Sequence, residues 1–373
     1  MAPRTTPPFR ADHVGSFLRP KELLDAREKY QKGAISAADL RRVEDRAIRD
    51  VVRFQEDLGL QGVTDGEYRR TYFHIDFLEQ LEGVSVHGGI GTKFHTAKGE
   101  VDFAPPRLEV NGRLKHVKPI QVEDFLYLKS QVKYGTPKVC IPSPTMVHFR
   151  GGRNAISKDA YPDMDGFFED LAACYRKELA ALAAAGCTYV QLDDTNLAYL
   201  CDAQQREAAS KRGEDPEALP HTYARLINAS IKDKPNDMTI GIHLCRGNFK
   251  SAWVAEGGYD PVAEALFNEL AVDGIFLEYD DHRSGDFSPL RFVPKGKTIV
   301  LGLISSKLGE LEPKDAIKRR IDEAARHMPL DQICLSPQCG FSSTVHGNDI
   351  SVENQRAKLA LVRDVARDVW GEA

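Results

Sequence analysis

The sequence predicts an α/β protein folded as a closed (β/α)8 barrel of the TIM type. Short apolar runs rich in β-branched residues recur along the 373-residue chain, and longer stretches with helical periodicity lie between them. Alternation of this kind, without an antiparallel block of comparable size, is typical of a parallel sheet covered by helices. Eight such units favour a closed barrel.

The predicted strands are short apolar runs bounded by turn residues or by helical stretches. In a barrel, the carboxyl ends of the strands meet at one rim, where barrel enzymes carry their catalytic groups. The eight predicted strands lie at residues 12–16, 62–66, 138–143, 189–194, 239–245, 274–280, 298–305 and 332–339.

Helices are predicted where apolar residues recur every three or four positions. Gly186 ends one of these stretches, as glycine commonly does at a helix C-terminus. The clearest stretches lie at residues 37–59, 163–186, 260–271, 313–328 and 351–371.

An open, doubly wound sheet is the structural alternative to the barrel. Nucleotide-binding sheets of that kind carry a G-x-G-x-x-G turn or a G-x-x-x-x-G-K-[ST] loop after a strand. Neither pattern follows any predicted strand. The sequence therefore gives no support to a nucleotide-binding interpretation.

Residues 83–120 interrupt the alternation of strands and helices. They alternate apolar and polar residues between turn glycines, which predicts a β-hairpin excursion after the second unit, above the barrel mouth or packed on its side. No repeat or linker divides the chain, so we expect one catalytic domain over residues 1–373. Within it, we expect residues 1–9 to form a loose N-terminal arm.

Composition argues against two kinds of partner. A net charge of −5 and a pI near 6.2 provide no broad basic field, so we expect neither nucleic acid nor an anionic membrane surface as a partner. No apolar run approaches the roughly 20 residues that cross a bilayer, and the N-terminus lacks the apolar block of a secretory signal. Seven scattered cysteines suit a reducing compartment. These features predict a cytoplasmic enzyme that acts on small molecules.

His243 and Cys245 stand two positions apart at the end of the fifth predicted strand. Alternate side chains of a strand share one face, so both would point into the barrel lumen. Glu278 and Cys339 lie at the equivalent ends of the sixth and eighth strands. A lone His-x-Cys pair is more often core packing than a ligand pair, so the prediction of a metal site depends on all four groups meeting.

The four groups would favour zinc, because thiolates select zinc over magnesium or calcium. A zinc ion with two thiolates and a carboxylate is electron-rich. It is therefore poor at ionising water and better suited to holding a further thiolate that stays nucleophilic. The chemistry that follows most naturally is thiol activation.

Five motifs, in this order, resemble the cobalamin-independent methionine synthases, both their C-terminal catalytic barrel and their short single-barrel relatives. The resemblance covers nearly the whole chain and implies a barrel that binds Zn²⁺ through His243, Cys245, Glu278 and Cys339. The motifs are HVGSFLRP (13–20), TDGEYRR (64–70), QLDD (191–194), HLC (243–245) and SPQCGF (336–341).

The resemblance also implies an amino-acid thiol substrate, held by Val14 and Ser16 and by the carboxylates of Glu67 and Asp193. The two carboxylates would take the catalytic role of binding the α-ammonium group, since charge-assisted hydrogen bonds to carboxylates are strong. A cap or loop carboxylate is the structural alternative for both. His74, which follows Glu67 closely, is a further candidate for substrate binding.

Two features depart from the full-length synthases. Those proteins have an additional N-terminal barrel, which this chain is too short to hold. They also have a histidine near the end of the seventh strand that donates a proton during methyl transfer from folate, where this chain has Ser305 and Ser306. The departure weakens the case for a folate donor and leaves a corrinoid or a corrinoid protein open as donor.

The sequence thus predicts a zinc-dependent methyltransferase that acts on a small-molecule thiol, most simply converting homocysteine to methionine. One alternative is zinc-dependent alkyl transfer or lyase chemistry on another thiol, such as addition to an epoxide. Another is a zinc-bearing partner that works only with a corrinoid protein.

Overall fold

A curled parallel sheet of seven strands forms the centre of the computed structural model, which describes residues 4–89, 91–96, 99–104 and 106–373. The sheet has the order β1-β6-β7-β8-β9-β10-β11 and gives the chain a TIM-barrel-like α/β fold. The strands are β1 Gly62–Val63, β2 Glu82–His87, β3 Thr92–Thr96, β4 Gly99–Phe103, β5 Arg107–Lys115, β6 Thr136–Pro142, β7 Tyr189–Asp194, β8 Thr239–Leu244, β9 Gly274–Glu278, β10 Thr298–Ile304 and β11 Ile333–Pro337.

Ten α-helices occur in the described part of the chain. The longest follow the amphipathic stretches of the sequence, and capping boxes at Ser36 and Ser351 fix where two of them begin. The helices are α1 Lys21–Gln31, α2 Ala37–Asp57, α3 Ile75–Leu78, α4 Val122–Gln131, α5 Met164–Ala184, α6 Asn196–Tyr199, α7 Ala203–Lys211, α8 Leu219–Ile231, α9 Lys314–Ala324 and α10 Val352–Trp370.

Two predicted elements differ from the structure. The helix predicted at 260–271 is a 3-10 turn, Asp260–Val262, followed by a π-helical turn, Glu264–Glu269. The prediction of a strand at 12–16 is wrong. The only β-bridge described at this segment is formed by the preceding residue, Ala11, with Leu335. Gly15 has φ +127°, outside the β region, so the segment cannot continue as a regular strand.

The N-terminal segment nevertheless fills the gap between the two edge strands of the sheet. On the β11 side, the backbone N–H of Asp12 donates to the carbonyl oxygen of Leu335 at 2.9 Å. On the β1 side, an imidazole nitrogen of His13 lies 2.9 Å from the carbonyl oxygen of Gly62. The segment therefore takes the place of the eighth strand without its regular hydrogen bonds.

Asp12 connects this segment to the inside of the barrel. Its fully buried carboxylate lies 3.1 Å from the ammonium of Lys138 and accepts a 2.8 Å hydrogen bond from the hydroxyl of Tyr189. Burial alone would raise the pKa of Asp12, but the charges of Lys138 and His13 and the bond from Tyr189 lower it below its usual value. Asp12 is therefore a buried carboxylate held in its charged form.

The residues expected to form a loose arm are attached to the barrel where the structure describes them. Residues 1–3 lie outside the described ranges, but Phe9 is only 2% exposed, and the backbone N–H of Arg4 donates to the carboxylate of Glu372 at 2.8 Å. This attachment corrects the expectation for residues 4–9. Burial of the apolar Phe9 side chain stabilises the attached arm by more free energy than the arm loses in conformational entropy.

The predicted excursion after the second unit is confirmed as two nested antiparallel ladders, β2 with β5 and β3 with β4. Strand β3 reaches the barrel mouth, where the backbone of His95 exchanges hydrogen bonds of 2.6 and 2.9 Å with that of Trp253. Phe94 lies 5.7 Å from Phe249, ring centre to ring centre. The insertion therefore covers part of the mouth.

Among the described residues, no helix is both long enough and apolar enough to cross a membrane.

Replacing Asp12 by Asn should destabilise the fold strongly, because it leaves the buried Lys138 ammonium without a compensating charge. Breaking a buried pair from one side costs about 3–5 kcal/mol of unfolding free energy. Urea unfolding followed by circular dichroism measures the loss. The matched control is Asp25→Asn, which removes the partner of the exposed Lys21; equal midpoints for the two variants would contradict the role given to Asp12.

Candidate metal and substrate site

The four predicted metal ligands meet at the carboxyl ends of the strands. The ligand atoms of His243, Cys245, Glu278 and Cys339 all lie within 4.8 Å of one another, and all four residues are buried. The two sulfur atoms are 3.5 Å apart, and Nε2 of His243 is 3.9 Å from Oε1 of Glu278. Parallel pairing of β8 with β9, of β9 with β10 and of β10 with β11 brings these strand ends to one rim.

The cluster has the donor chemistry of a metal site. In the described part of the chain, neither ring nitrogen of His243 has a hydrogen-bond partner, although its side chain is almost fully buried. Buried polar atoms are normally satisfied, so two orphaned imidazole nitrogens beside two thiols and a carboxylate fit a missing cation. The set can hold a borderline-soft metal ion.

The two thiols share their protons unequally. The contact with Cys245 holds the pKa of Cys339 well below its usual range, as do the charges of His243 and Lys307, although burial opposes the shift. The same contact, together with burial, raises the pKa of Cys245 well above its usual range. Of the two thiols, Cys339 therefore loses its proton more readily, and the thiolate is the form that binds a metal ion.

Neighbouring groups hold the ligands in orientation. Oε1 of Glu278 accepts from the backbone N–H of Arg246 at 3.0 Å, and its Oε2 accepts from the amide of Gln338 at 3.2 Å. The amide nitrogen of Asn248 lies 3.7 Å from the sulfur of Cys339. Contacts of this kind fix ligand geometry around metals.

Two buried cations offset the negative charge of the candidate ligands. Lys307 is 5% exposed and donates to the carbonyl oxygen of Gly247 at 3.1 Å. Arg246 is fully buried, with its guanidinium 4.6 Å from the centre of the Tyr259 ring. Ser306, noted in place of a histidine, bonds instead to Gln338. The sequence analysis missed Lys307, although this lysine stands directly after the two serines.

The two predicted substrate carboxylates lie together in the same cavity as the metal ligands. Glu67 and Asp193 form a second cluster with Cys140, with ligand atoms within 4.8 Å of one another. Burial raises the pKa of Glu67 to about 7, with Arg70 opposing the shift and Asp193 adding to it. Burial also raises the pKa of Asp193.

The pair of carboxylates is only partly neutralised. Glu67 forms an ion pair with Arg70, and Oδ1 of Asp193 accepts from the amide of Gln191 at 2.7 Å. Two carboxylates and one guanidinium leave a net charge of −1 when all are ionised. This is the charge that one ammonium group would complement.

Val14 and Ser16 line the cavity as predicted, but both have partners inside the protein. The carbonyl oxygen of Val14 accepts from the amide of Gln191 at 2.7 Å, and the hydroxyl of Ser16 accepts from the backbone N–H of Ser342 at 3.2 Å. The turn between them depends on Gly15, because a Cβ there would lie 2.5 Å from the sulfur of Cys140.

His74 also lines the cavity, and among the described residues its Nδ1 has no hydrogen-bond partner. Burial, followed by the charges of Arg150 and Arg70, lowers the pKa of His74 well below its usual value. The imidazole is therefore neutral at neutral pH.

Two other charged or titratable side chains close in sequence to the candidate residues lie apart from the cavity. Arg69 is engaged by Glu44, Asp45 and Asp124 outside it. His282 is exposed.

Several lining residues were missed by the sequence reasoning. Phe94 comes from the insertion, Phe73 and Phe249 come from loops after the strands, and Tyr199 is the last residue of α6. Arg150, after β6, lines the same cavity. Their sequence contexts carry no motif, and only the path of the loops brings them together.

A TIM-barrel-like fold with a cluster of potential metal ligands at its strand ends defines the general class of barrel enzymes. A family match narrows this class: residues 9–368 match the family model described as the catalytic domain of cobalamin-independent synthase. The chain belongs to this family of methionine synthase-like methyltransferases.

Individual relatives agree with this assignment. YxjH, an uncharacterized protein of Bacillus subtilis, is 48% identical over 97% of this chain and 95% of its own length. A methionine synthase of Pyrococcus abyssi is 23% identical over 88% of this chain and 85% of its own. A crystal structure from Listeria monocytogenes, assigned provisionally as a vitamin-B12-independent methionine synthase, is 41% identical, with a TM-score of 0.79 and coverage of 99% and 100%.

The purified chain should hold about one metal ion, as a set of four protein ligands does. Cys339→Ser should lose most of it, because the replacement removes one of the two sulfur ligands. Metal content by mass spectrometry, with circular dichroism to verify folding, measures the effect. Cys334→Ser is the control, since Cys334 is buried in β11, the strand that Cys339 follows, but lies outside the cluster. Full metal content in Cys339→Ser would contradict its place among the ligands.

Proposed function

We propose that this chain is a zinc-dependent methyltransferase that methylates the thiol of homocysteine. The observation that carries the proposal is the position of the acidic pair beside the candidate metal ligands. Asp193 on β7 is the register partner of His243 on β8. Neighbouring strands are about 4.8 Å apart, so an amino group and a sulfur atom a few bonds apart can reach both sets together.

The proposed metal ligands are His243, Cys245, Glu278 and Cys339. Zinc bound there would supply a Lewis acid that keeps the sulfur of a thiol substrate deprotonated and nucleophilic at neutral pH. Glu278 is oriented by its two hydrogen bonds, and the positive charges of Arg246 and Lys307 limit the repulsion between the anionic ligands.

Asp193 and Glu67 would orient the substrate through its α-ammonium group. When all three groups are ionised, their net charge with Arg70 is −1, which matches one ammonium, and the bond from Gln191 holds Asp193 in place. Phe94 and Phe249 lie over the same cavity and limit the access of water to the sulfur. An oriented nucleophile in a partly dry site reacts faster than one in solution.

For the methyl donor, we favour a corrinoid over a folate. Methyl transfer from folate needs an acid, because the nitrogen leaving group must be protonated. Ser305 and Ser306 replace the expected histidine, Lys307 turns toward the carbonyl oxygen of Gly247, and His74 in the cavity is neutral. A corrinoid leaving group departs without a proton, so methyl transfer from a corrinoid needs no acid at this position.

Methionine formation from homocysteine tests the proposal, with the zinc-loaded chain and either methylcobalamin or 5-methyltetrahydrofolate at equal concentration. We expect the folate reaction to be slower, since a positioned acid is worth about 10² to 10⁴ in rate. Fast folate turnover that is abolished by His74→Asn would overturn the donor assignment and identify the acid. No methionine from either donor, with thioether formation from an epoxide instead, would replace methyl transfer by addition chemistry.

Asp193→Asn and Glu67→Gln should weaken homocysteine binding while the metal stays in place. Loss of one charge-assisted contact costs about 1.5 to 3 kcal/mol, or about tenfold to a hundredfold in affinity. Calorimetric titration of the zinc-loaded proteins measures the change. Asp45→Asn, which removes the same charge outside the cavity, is the control. Unchanged affinity in both cavity variants would indicate a thiol without an amino group.

A further inference from the structure

A second cavity adjoins the candidate site and shares Arg150 and His74 with it. It lies between the first residues of strand β5 and the loop that follows β6, and its volume is about 230 Å³. A cavity of this size can hold part of a ligand rather than a whole one, since complete small-molecule sites measure about 300–1,000 Å³. The thiol amino acid proposed above does not need this space, because Asp193 and the metal ligands lie in the first cavity.

The second cavity carries one uncompensated positive charge. Its two other charged residues, Arg107 and Glu109, pair with each other at 2.8 Å. Arg150 is partly buried, and it forms no hydrogen bond or ion pair with any residue in the described ranges. A guanidinium presents a planar fork of donors that matches carboxylate and phosphate oxygens. Its isolation here fits an anion that comes from outside the protein.

His74 supplies the second, independent observation. Its side chain is 3% exposed and lines both cavities, and within the described ranges its Nδ1 has no hydrogen-bond partner. Because the imidazole is neutral, it leaves the charge of Arg150 undiminished and offers one more hydrogen bond to a ligand. Two unsatisfied groups, one cationic and one neutral, thus face the same junction between the cavities.

We propose that Arg150 anchors an anionic tail of the alkyl donor, with His74 bonding to the same ligand and the second cavity holding the tail. The inference rests on the proposed function for the identity of the reaction, and it adds the recognition chemistry of the second substrate. An anion is directed to Arg150 because the other end of the site, at Glu67 and Asp193, is acidic and repels it. The donor would therefore lie with its transferable carbon toward the metal ligands and its anionic tail toward β5.

Equilibrium binding to the zinc-loaded full chain tests the inference with two matched pairs of probes. Methylcobalamin, which has a phosphodiester, is compared with methylcobinamide, which lacks it. In the same way, 5-methyltetrahydrofolate, which has a glutamate tail, is compared with the corresponding methyltetrahydropterin. In at least one pair, removing the anion should weaken binding about tenfold to a hundredfold, the usual effect of a lost charge-assisted contact. The pair that responds identifies phosphate or carboxylate as the anion.

Arg150→Gln should abolish this discrimination, so that the variant binds both members of the responding pair equally, whereas Arg150→Lys should retain part of it. The control Arg107→Gln removes the same charge from the same cavity at a residue that already has a partner, and it should discriminate like the unmodified chain. Full discrimination by Arg150→Gln, or no discrimination by the unmodified chain in either pair, would overturn the inference.

Homocysteine affinity separates this inference from the proposed function. Arg150→Gln should bind homocysteine as tightly as the unmodified chain, and a tenfold loss would assign Arg150 to the carboxylate of the acceptor and overturn the donor site. If no methionine is formed but Arg150→Gln abolishes anion discrimination, the proposed reaction fails and the anion site stands.

Discussion

The buried contact between Asp12 and Lys138 is the constraint on which the rest of the site depends. It holds the N-terminal segment in the gap between the edge strands of the sheet, where regular pairing is missing. Because this segment is fixed at Asp12, the carbonyl oxygen of Val14 meets the amide of Gln191, which in turn orients Asp193. A fold-closing ion pair and a candidate substrate-binding carboxylate are thus connected through the chain from Asp12 to Val14 and two hydrogen bonds. The cost of burying two charges is offset here by the hydrogen bonds that surround them.

Charge is distributed along the site in alternating zones. Three of the four candidate metal ligands, two thiols and a carboxyl group, are acidic, and the buried cations Arg246 and Lys307 act on them. The pair Glu67 and Asp193 is anionic toward the cavity, and Arg150 is cationic at the far end. In a water-poor cavity such charges act strongly. They can therefore orient a cationic acceptor group and an anionic donor group in opposite directions around one transfer point.

The fold and the metal cluster could be predicted from the sequence because both follow from local patterns. Strand periodicity located seven of the eight barrel positions, and the side-chain alternation of His243 and Cys245 indicated which groups would converge. The eighth position was misjudged at Gly15, where positive φ interrupts the strand. Lys307 and Arg150 were missed because their roles depend on burial and on the lack of a neighbouring acceptor. Such properties arise only when loops distant in sequence pack together.

The site is built from two kinds of structure, the strands of the sheet and the insertion between β1 and β6. The four candidate ligands and Asp193 stand on or directly after strands of the sheet, whose hydrogen bonds fix them within narrow limits. The cover of the mouth and one wall of the second cavity come instead from β3 and β5, through Phe94 and the Arg107–Glu109 pair. Loops and insertions accept sequence change more easily than sheet strands do. The proposed thiol activation is therefore tied to the barrel itself, whereas the cover of the mouth and this wall of the proposed donor cavity can change with the insertion.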